Sequence, residues 1–161
     1  MIATEKRQVV VPSVFAPLYE DQESDIYLIT GGRYSAKTHN LKQYLAISVI
    51  GPTYFRAICT RYNFGSIRDS IKSAVEETID QFRWRKLLDV QRDRIVNPAN
   101  GNCIVFKGLK KSELQQQKGK AYQGFNVLVV EEAQEWSSEL ELFDWYRSFR
   151  CEHVHHRAIL V

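Results

Sequence analysis

One glycine-rich turn between an apolar strand and a long helix constrains this fold more than any other feature. Residues 25–30, DIYLIT, form an apolar run of the length expected for a short buried strand. The turn GGRYSAK follows directly, and residues 37–50 then have a helical apolar pattern that Gly51 and Pro52 end. A strand that turns into a helix begins a βαβ unit, which predicts a parallel sheet covered by helices.

The same turn has nearly the spacing of a phosphate-binding loop, G-x-x-x-x-G-K-[ST]. In such a loop, backbone N–H groups converge on phosphate oxygens, and the N-terminus of the helix adds partial positive charge. Lys37 is placed to reach the β- and γ-phosphates and Thr38 to bind Mg²⁺. An unrelated glycine-rich turn is the alternative to a nucleotide site formed by Gly31, Gly32, Arg33, Tyr34, Ser35, Ala36, Lys37 and Thr38.

Ala36 stands where the loop pattern has its second glycine. Glycine is favoured where φ is positive or where the backbone approaches a ligand closely. With helical dihedral angles at residue 36 the extra methyl group costs little, whereas at positive φ it costs ~1 kcal/mol. The sequence leaves both conformations open and predicts a site that Ala36 weakens without abolishing.

A second apolar strand carries the acids that nucleotide hydrolysis requires. Residues 126–130, NVLVV, suit a central parallel strand, and Glu131 and Glu132 follow at once. Hydrolysis of a nucleoside triphosphate uses one acid to hold Mg²⁺ and another to orient the attacking water. We predict Glu131 as the Mg²⁺ ligand and Glu132 as the catalytic base, on a strand beside the one that enters the loop. Two exposed glutamates that open a helix are the alternative.

The remaining patterns complete a single α/β domain. They predict five further elements: a strand at 55–60, an amphipathic helix at 66–82, a β-hairpin at 94–107 around PANG, an amphipathic helix at 137–149 and a strand at 156–161. We therefore predict a P-loop NTPase fold of the RecA-like, additional-strand class (ASCE). It has a mostly parallel sheet, helices on both faces and the hairpin at 94–107. The length of 161 residues fits one domain.

Composition narrows the class of protein and leaves the partner open. Hydrophobic residues make up 44% and charged residues 25%, as in soluble globular domains, and no apolar run approaches the ~20 residues of a membrane span. We therefore predict no membrane association. Three widely spaced cysteines fit a reducing compartment. The net charge of +3 does not indicate a nucleic-acid partner, whereas the lysines at 107, 110, 111, 118 and 120 fit a solvated surface or an anionic partner.

Several segments together resemble the N-terminal ATPase domain of the large terminase subunit of tailed bacteriophages, the motor that packages DNA into proheads. GGRYSAKT at 31–38 is similar to the family's variant Walker A loop, and FRAICTRYNFGSIRDSIKSAVEETI at 55–79 is similar to the strand and helix that follow. RIVNPANGNCIVFKGL at 94–109 resembles the family's hairpin, and VLVVEEAQEW at 127–136 resembles its Walker B strand. The resemblance runs from about residue 12 to the end.

The resemblance implies roles for residues that the motifs alone leave unassigned. Arg33 is similar to the loop arginine that stabilises the γ-phosphate, so the implied catalytic residues are Glu132, Lys37 and Arg33. Lys118 falls where the family has a basic residue that reaches a neighbouring subunit's nucleotide as a trans-acting finger. Arg61 falls where related translocases contact DNA, and residues 12–19 resemble the segment near the adenine, without indicating which residue contacts the base.

The resemblance also implies an activity and partners. The expected activity is ATP hydrolysis with Mg²⁺ that moves double-stranded DNA into a prohead in the host cytoplasm. The expected partners are double-stranded DNA, the portal protein, the small terminase subunit and further copies of the chain in a ring. The family continues past a strand like 156–161 into a coupling motif and a nuclease domain, so we expect a C-terminally incomplete ATPase domain over 1–161. Another P-loop DNA translocase, or a non-hydrolysing module that binds nucleotide or DNA, remains an alternative.

Overall fold

The computed structural model describes residues 9–32, 35–61, 71–108, 123–135, 138–147 and 154–161, and these build one seven-stranded sheet. The strand order is β1-β7-β6-β2-β5-β4-β3. The strands are β1 (Ile26–Leu28), β2 (Arg56–Arg61), β3 (Asp89–Val90), β4 (Arg94–Val96), β5 (Cys103–Gly108), β6 (Val127–Glu131) and β7 (Arg157–Leu160).

Four α-helices accompany the sheet in the described ranges: α1 (Pro17–Glu20), α2 (Lys37–Ile50), α3 (Ser73–Gln81) and α4 (Glu139–Arg147). The predicted bounds of α2 are confirmed, because the Gly51 N–H bonds to the Ile47 carbonyl and Pro52 then offers no N–H to continue the helix. The predicted helix at 66–82 is confirmed over Ser73–Gln81, and residues 66–70 lie outside the described residues. None of these helices is long and apolar enough to cross a bilayer.

The predicted mostly parallel sheet is confirmed. Strands β1, β7, β6, β2 and β5 run parallel, and β4 and β3 are antiparallel to their neighbours. The hairpin predicted at 94–107 is formed by β4 and β5, with Ile95 opposite Ile104. Sequence patterns did not indicate β3, whose two residues are too few to produce a periodic signal.

Helices cover both faces of the sheet, as predicted. On one face, α2 and α3 pack apolar side chains against the sheet, with Leu45, Val75 and Ile104 among the fully buried residues. On the other face, Tyr146 of α4 packs against a smaller cluster around Leu128. The predicted apolar face of α4 is covered only in part, because Leu140 is 77% exposed.

Strand β1 differs from its prediction as a buried strand. It forms an edge of the sheet and pairs, among the described residues, only with β7. Its residues Ile26 and Leu28 are therefore 41% and 68% exposed. The apolar composition of the segment indicated a strand correctly, but burial depends on the neighbours that the sheet order supplies.

The buried Asn102 joins α2, β2 and β5 at the end of the sheet where these strands begin. Its amide group donates to the carbonyls of Gly51 and Thr53 at 3.0 and 2.9 Å, and its Oδ1 accepts from the Phe55 N–H at 3.0 Å. The Asn102 side chain is 2% exposed, and its hydrogen bonds fix the connection between the end of α2 and the start of β2.

We expect Asn102→Leu to lower the free energy of unfolding by about 2 kcal/mol, because the buried Phe55 N–H loses its acceptor. Urea denaturation followed by circular dichroism measures the change. The matched control is Asn100→Leu, whose exposed amide also bonds to Gly51 and whose loss is expected to cost about 0.5 kcal/mol. Equal losses for the two variants would contradict the assigned role of Asn102.

Candidate functional site

The predicted loop and the predicted acids lie at the same end of the sheet, where the parallel strands have their carboxyl ends. β1, β7 and β6 run in parallel register, with Leu28 opposite Leu160 and Leu160 opposite Val130. Glu131 is the last residue of β6, and the loop leaves β1 at the same level. The carboxyl ends of parallel strands are where α/β sheets bind ligands.

The acid-bearing strand was predicted beside β1, and this is wrong: β7 lies between them. Hydrogen bonds extend the pairing of β7 on both sides, from the Ile29 N–H to the Leu160 carbonyl and from the Val161 N–H to the Val130 carbonyl. The two spacings between β1 and β6 place the loop and the acids roughly 10 Å apart across the sheet.

The loop itself is closed by contacts between its own residues. Gly31 has φ 150°, and a side chain there would place its Cβ 3.0 Å from the Ser35 Oγ, so this position requires glycine. The Lys37 ammonium group donates to the Gly31 carbonyl, so the lysine folds back over the loop, and Thr38 is exposed beside it. The predicted loop residues Arg33 and Tyr34 lie outside the described residues.

The backbone at Ala36 decides between the two conformations that the sequence left open. Its φ of 59° and ψ of 15° are left-handed, and it caps the N-terminus of α2 without a side-chain hydrogen bond. This conformation costs an L-residue roughly 1–2 kcal/mol relative to glycine. The loop therefore has the backbone that the second glycine of the pattern would adopt, and Ala36 holds it under strain.

Arg61 lies among the predicted acids. It is the register partner of Glu131 across β2 and β6, with 4.0 Å between its Nη1 and the Glu131 Oε2. Its Nη2 lies 3.9 Å from Glu132 and 3.7 Å from Glu135. One guanidinium thus faces three carboxylates in this cluster. Burial and then the Glu131 charge raise the pKa of the Cys59 thiol well above its usual range.

Glu132, the predicted base, occupies a second strained position. Its φ is 54°, in the left-handed region that only glycine adopts readily. The Glu135 N–H bonds to its carbonyl at 2.8 Å, and the Gln134 amide donates to its carboxylate. Strained non-glycine residues are concentrated at functional sites, where the surrounding structure holds them. The turn directs the side chain of Glu132 out of the strand, where it is 41% exposed.

The donor atoms present fit Mg²⁺ bound together with phosphate, but not a metal held by protein alone. Within the described ranges, no group of three or more His, Cys, Asp and Glu side chains is arranged to hold a metal ion. Mg²⁺ typically takes one or two carboxylates, substrate phosphates and water. The Glu131 carboxylate and the Thr38 hydroxyl are oxygen donors of that kind.

The segment predicted near the adenine packs against the middle of α2. Phe15 and Leu18 are buried in the core, and the ring of Tyr19 meets that of Tyr44 edge-on at 5.4 Å. Burial and Tyr44 raise the pKa of Tyr19 to about 12. Tyr19 lines a cavity of about 450 Å³ at the amino ends of β2, β6 and β7. The acids lie at the opposite ends of these strands. An adenine contact by this segment stays a prediction.

Two polar residues of the site were missed in the sequence. Asn40 donates through its side chain to the Ala36 carbonyl, and Gln134 binds the carboxylate of Glu132. Asn40 lies two residues after GGRYSAKT, and Gln134 lies inside VLVVEEAQEW, so their position next to the loop and the acids was the available signal. The predicted contact of Arg61 with DNA stays a prediction. The contacts of Arg61 with three acids could not be predicted from the sequence, because they depend on the pairing of β2 with β6. Lys118 lies outside the described residues.

A loop of this form at the start of a helix, with an acid pair at the end of a parallel strand two places away, defines the class of P-loop ATPase domains. The sequence pattern of the family described as phage terminase large subunit matches residues 23–160. The chain belongs to this family. No curated protein matches the sequence significantly.

Solved structures share the fold. The large terminase of a thermophilic bacteriophage matches with a TM-score of 0.68 and 10% identity over 91% of this chain and 36% of that chain. The same protein in complex with ADP matches with a TM-score of 0.62 and 11% identity over 89% and 34%. The large terminase of bacteriophage HK97 matches with a TM-score of 0.66 and 12% identity over 99% and 34%. The chain thus spans about a third of the length of these relatives.

We expect Ala36→Gly to raise the free energy of unfolding by about 0.5–1 kcal/mol, because glycine removes the left-handed strain while adding some entropy to the unfolded chain. Chemical denaturation measures the difference. The matched control, Ala46→Gly in the interior of α2, is expected to lower stability by about 1 kcal/mol or more. A loss of stability in Ala36→Gly would show that residue 36 is not left-handed.

We expect Arg61→Gln to lower the free energy of unfolding by about 2 kcal/mol at low salt, because three carboxylates then lose the guanidinium that lies between them. Added salt should shrink the loss by screening. Lys42→Gln is the control, since its ion pair with the exposed Glu77 is worth under about 1 kcal/mol. A loss that does not depend on salt would contradict the electrostatic explanation.

Proposed function

We propose that this chain hydrolyses ATP to drive double-stranded DNA into a viral prohead. The observation that carries the proposal is that the loop with Lys37 and the acids Glu131 and Glu132 follow the carboxyl ends of strands in one sheet. Membership of the phage terminase large subunit family supports it, as does the ADP complex of the similar thermophilic phage protein.

Nucleotide binding begins with Lys37. Its ammonium group leaves the Gly31 carbonyl and binds the β- and γ-phosphate oxygens of ATP, while the N–H groups at the start of α2 bind the phosphates. Thr38 and Glu131 are the residues that would hold Mg²⁺. When bound, Mg²⁺ supplies charge neutralisation and polarises the phosphoryl group.

Glu132 acts as the catalytic base. Its half-exposed carboxylate orients a water molecule and accepts its proton as the water oxygen bonds to the γ-phosphorus. The bond from that phosphorus to the bridging oxygen breaks, and ADP leaves. Arg33, from the same loop, stabilises the charge on the transferred phosphoryl group. Lys118 of a neighbouring subunit completes the site in an assembled ring. The roles of Arg33 and Lys118 rest on the family resemblance.

The remaining parts of the proposal concern the assembly. Residues 1–161 form one ATPase domain, and copies of the protein form a ring on the portal protein with the small terminase subunit, in the host cytoplasm. Double-stranded DNA is held through its phosphates, without sequence preference and with an affinity that falls as salt rises. Arg61 is the residue of this chain proposed to contact DNA.

We expect the purified chain to release phosphate from ATP in the presence of Mg²⁺. Lys37→Ala should abolish ATP binding, and Glu132→Gln should bind ATP yet lower turnover about 10²-fold or more, because only the base is lost. Phosphate release and calorimetric ATP binding measure the two steps. Lys42→Ala, a lysine of the same helix that faces Glu77, should retain both.

The outcome separates the candidate functions. If wild type and Glu132→Gln bind ATP equally and neither releases phosphate above the blank, the chain is a nucleotide-binding module and the hydrolysis proposal fails. If none of the variants differs from wild type in binding, the loop is not the nucleotide site. DNA-stimulated turnover without a prohead would not distinguish the packaging motor from another P-loop translocase, so packaging into proheads is the decisive assay for the motor.

A further inference from the structure

Asn40 makes an unusual pair of hydrogen bonds to the loop. It lies in the first turn of α2 and is fully buried. Its backbone N–H donates to the Ala36 carbonyl at 3.0 Å, as helix geometry requires, and its side-chain Nδ2 donates to the same carbonyl at 2.9 Å. One residue thus places two donors on the carbonyl of the strained Ala36.

Within the described ranges, the oxygen of the same amide is the unpaired atom of this side chain. The Asn40 Oδ1 is buried and has no hydrogen-bond partner among the described residues. An unpaired buried amide oxygen costs free energy that an apolar side chain of similar shape would avoid. Stability of the fold therefore does not explain an asparagine here, and the bond to Ala36 is the contact that distinguishes it from leucine.

The direction of the Ala36 carbonyl fixes the direction of the neighbouring Lys37 N–H. It belongs to the same planar peptide as the Lys37 N–H, and in a trans peptide these two groups point in opposite directions. Because the carbonyl points along α2 toward Asn40, the Lys37 N–H points out of the N-terminus of the helix, toward the space in front of the loop. Because Ala36 is in a left-handed conformation that alanine adopts rarely, the orientation of this peptide plane depends on contacts such as the bond from Asn40.

We propose that Asn40 is a positioning residue that aims the Lys37 backbone N–H at the bound phosphate by holding the Ala36 carbonyl. The inference rests on the proposed function, because it requires a phosphate in the loop. It assigns Asn40 a role in nucleotide affinity that is separate from fold stability.

Asn40→Leu tests the separation, with ADP as the probe. We expect the melting temperature without ligand to stay equal or rise, and the ADP affinity measured by calorimetry to fall about tenfold, equivalent to 1.4 kcal/mol. The shift of the Lys37 amide resonance on ADP addition, measured by NMR, should shrink together with the affinity. A residue that acts only in folding would lower the melting temperature and leave this resonance unchanged.

Asn97→Leu is the matched control. The 5% exposed Asn97 also donates to a carbonyl of α2, that of Val49 at the far end of the helix, but its Oδ1 accepts from the Ala99 N–H. This variant should lower the melting temperature and leave the ADP affinity within about twofold. The double variant Asn40→Leu/Ala36→Gly should recover most of the affinity, because glycine adopts the left-handed conformation without needing the second bond.

The outcomes distinguish the inference from the function on which it rests. If Asn40→Leu binds ADP as wild type does, the positioning role is overturned while nucleotide binding stands. The same holds if Ala36→Gly fails to recover affinity in the double variant. If the wild-type chain binds no ADP, the proposed function fails, and the inference fails with it.

Discussion

The pairing of β7 between β1 and β6 is the constraint on which the site depends. Its hydrogen bonds on both sides fix the level at which the loop leaves β1 and at which Glu131 ends β6. Without the intervening strand, the loop and the acids would be one strand spacing apart, about 5 Å, which leaves little room for a phosphate and a metal ion. The width of the site is therefore a property of sheet order.

Backbone strain flanks this gap on both sides. Ala36 and Glu132 are non-glycine residues in left-handed conformations, one at the turn into α2 and the other at the turn out of β6. Each accepts a hydrogen bond from a neighbouring side chain: Asn40 donates to the Ala36 carbonyl, and Gln134 donates to the Glu132 carboxylate. Strain of this kind is concentrated at functional sites, and here each strained residue has a side-chain contact from a residue four or two positions further along the chain.

The electrostatics of the site follow from the same sheet. Because β2 pairs with β6, Arg61 meets Glu131 in register and reaches Glu132 and Glu135 beyond the end of the strand. The carboxylates suit a divalent cation, while the loop across the gap offers N–H groups and the Lys37 ammonium to phosphate. Opposite charges thus face one another at a separation set by β7.

The sequence by itself determined the elements and their chemistry. Apolar periodicity and the Gly51-Pro52 stop predicted α2, the turn signal PANG predicted the β4–β5 hairpin, and residue types indicated the loop and the acids, since each of these signals is local. The tertiary structure alone decided that β1 is an edge strand, that β7 separates it from β6, and that Arg61 lies among the acids, because strand order and register depend on contacts between distant segments. It also decided the left-handed backbone of Ala36, because an alanine adopts that conformation only where its surroundings impose it.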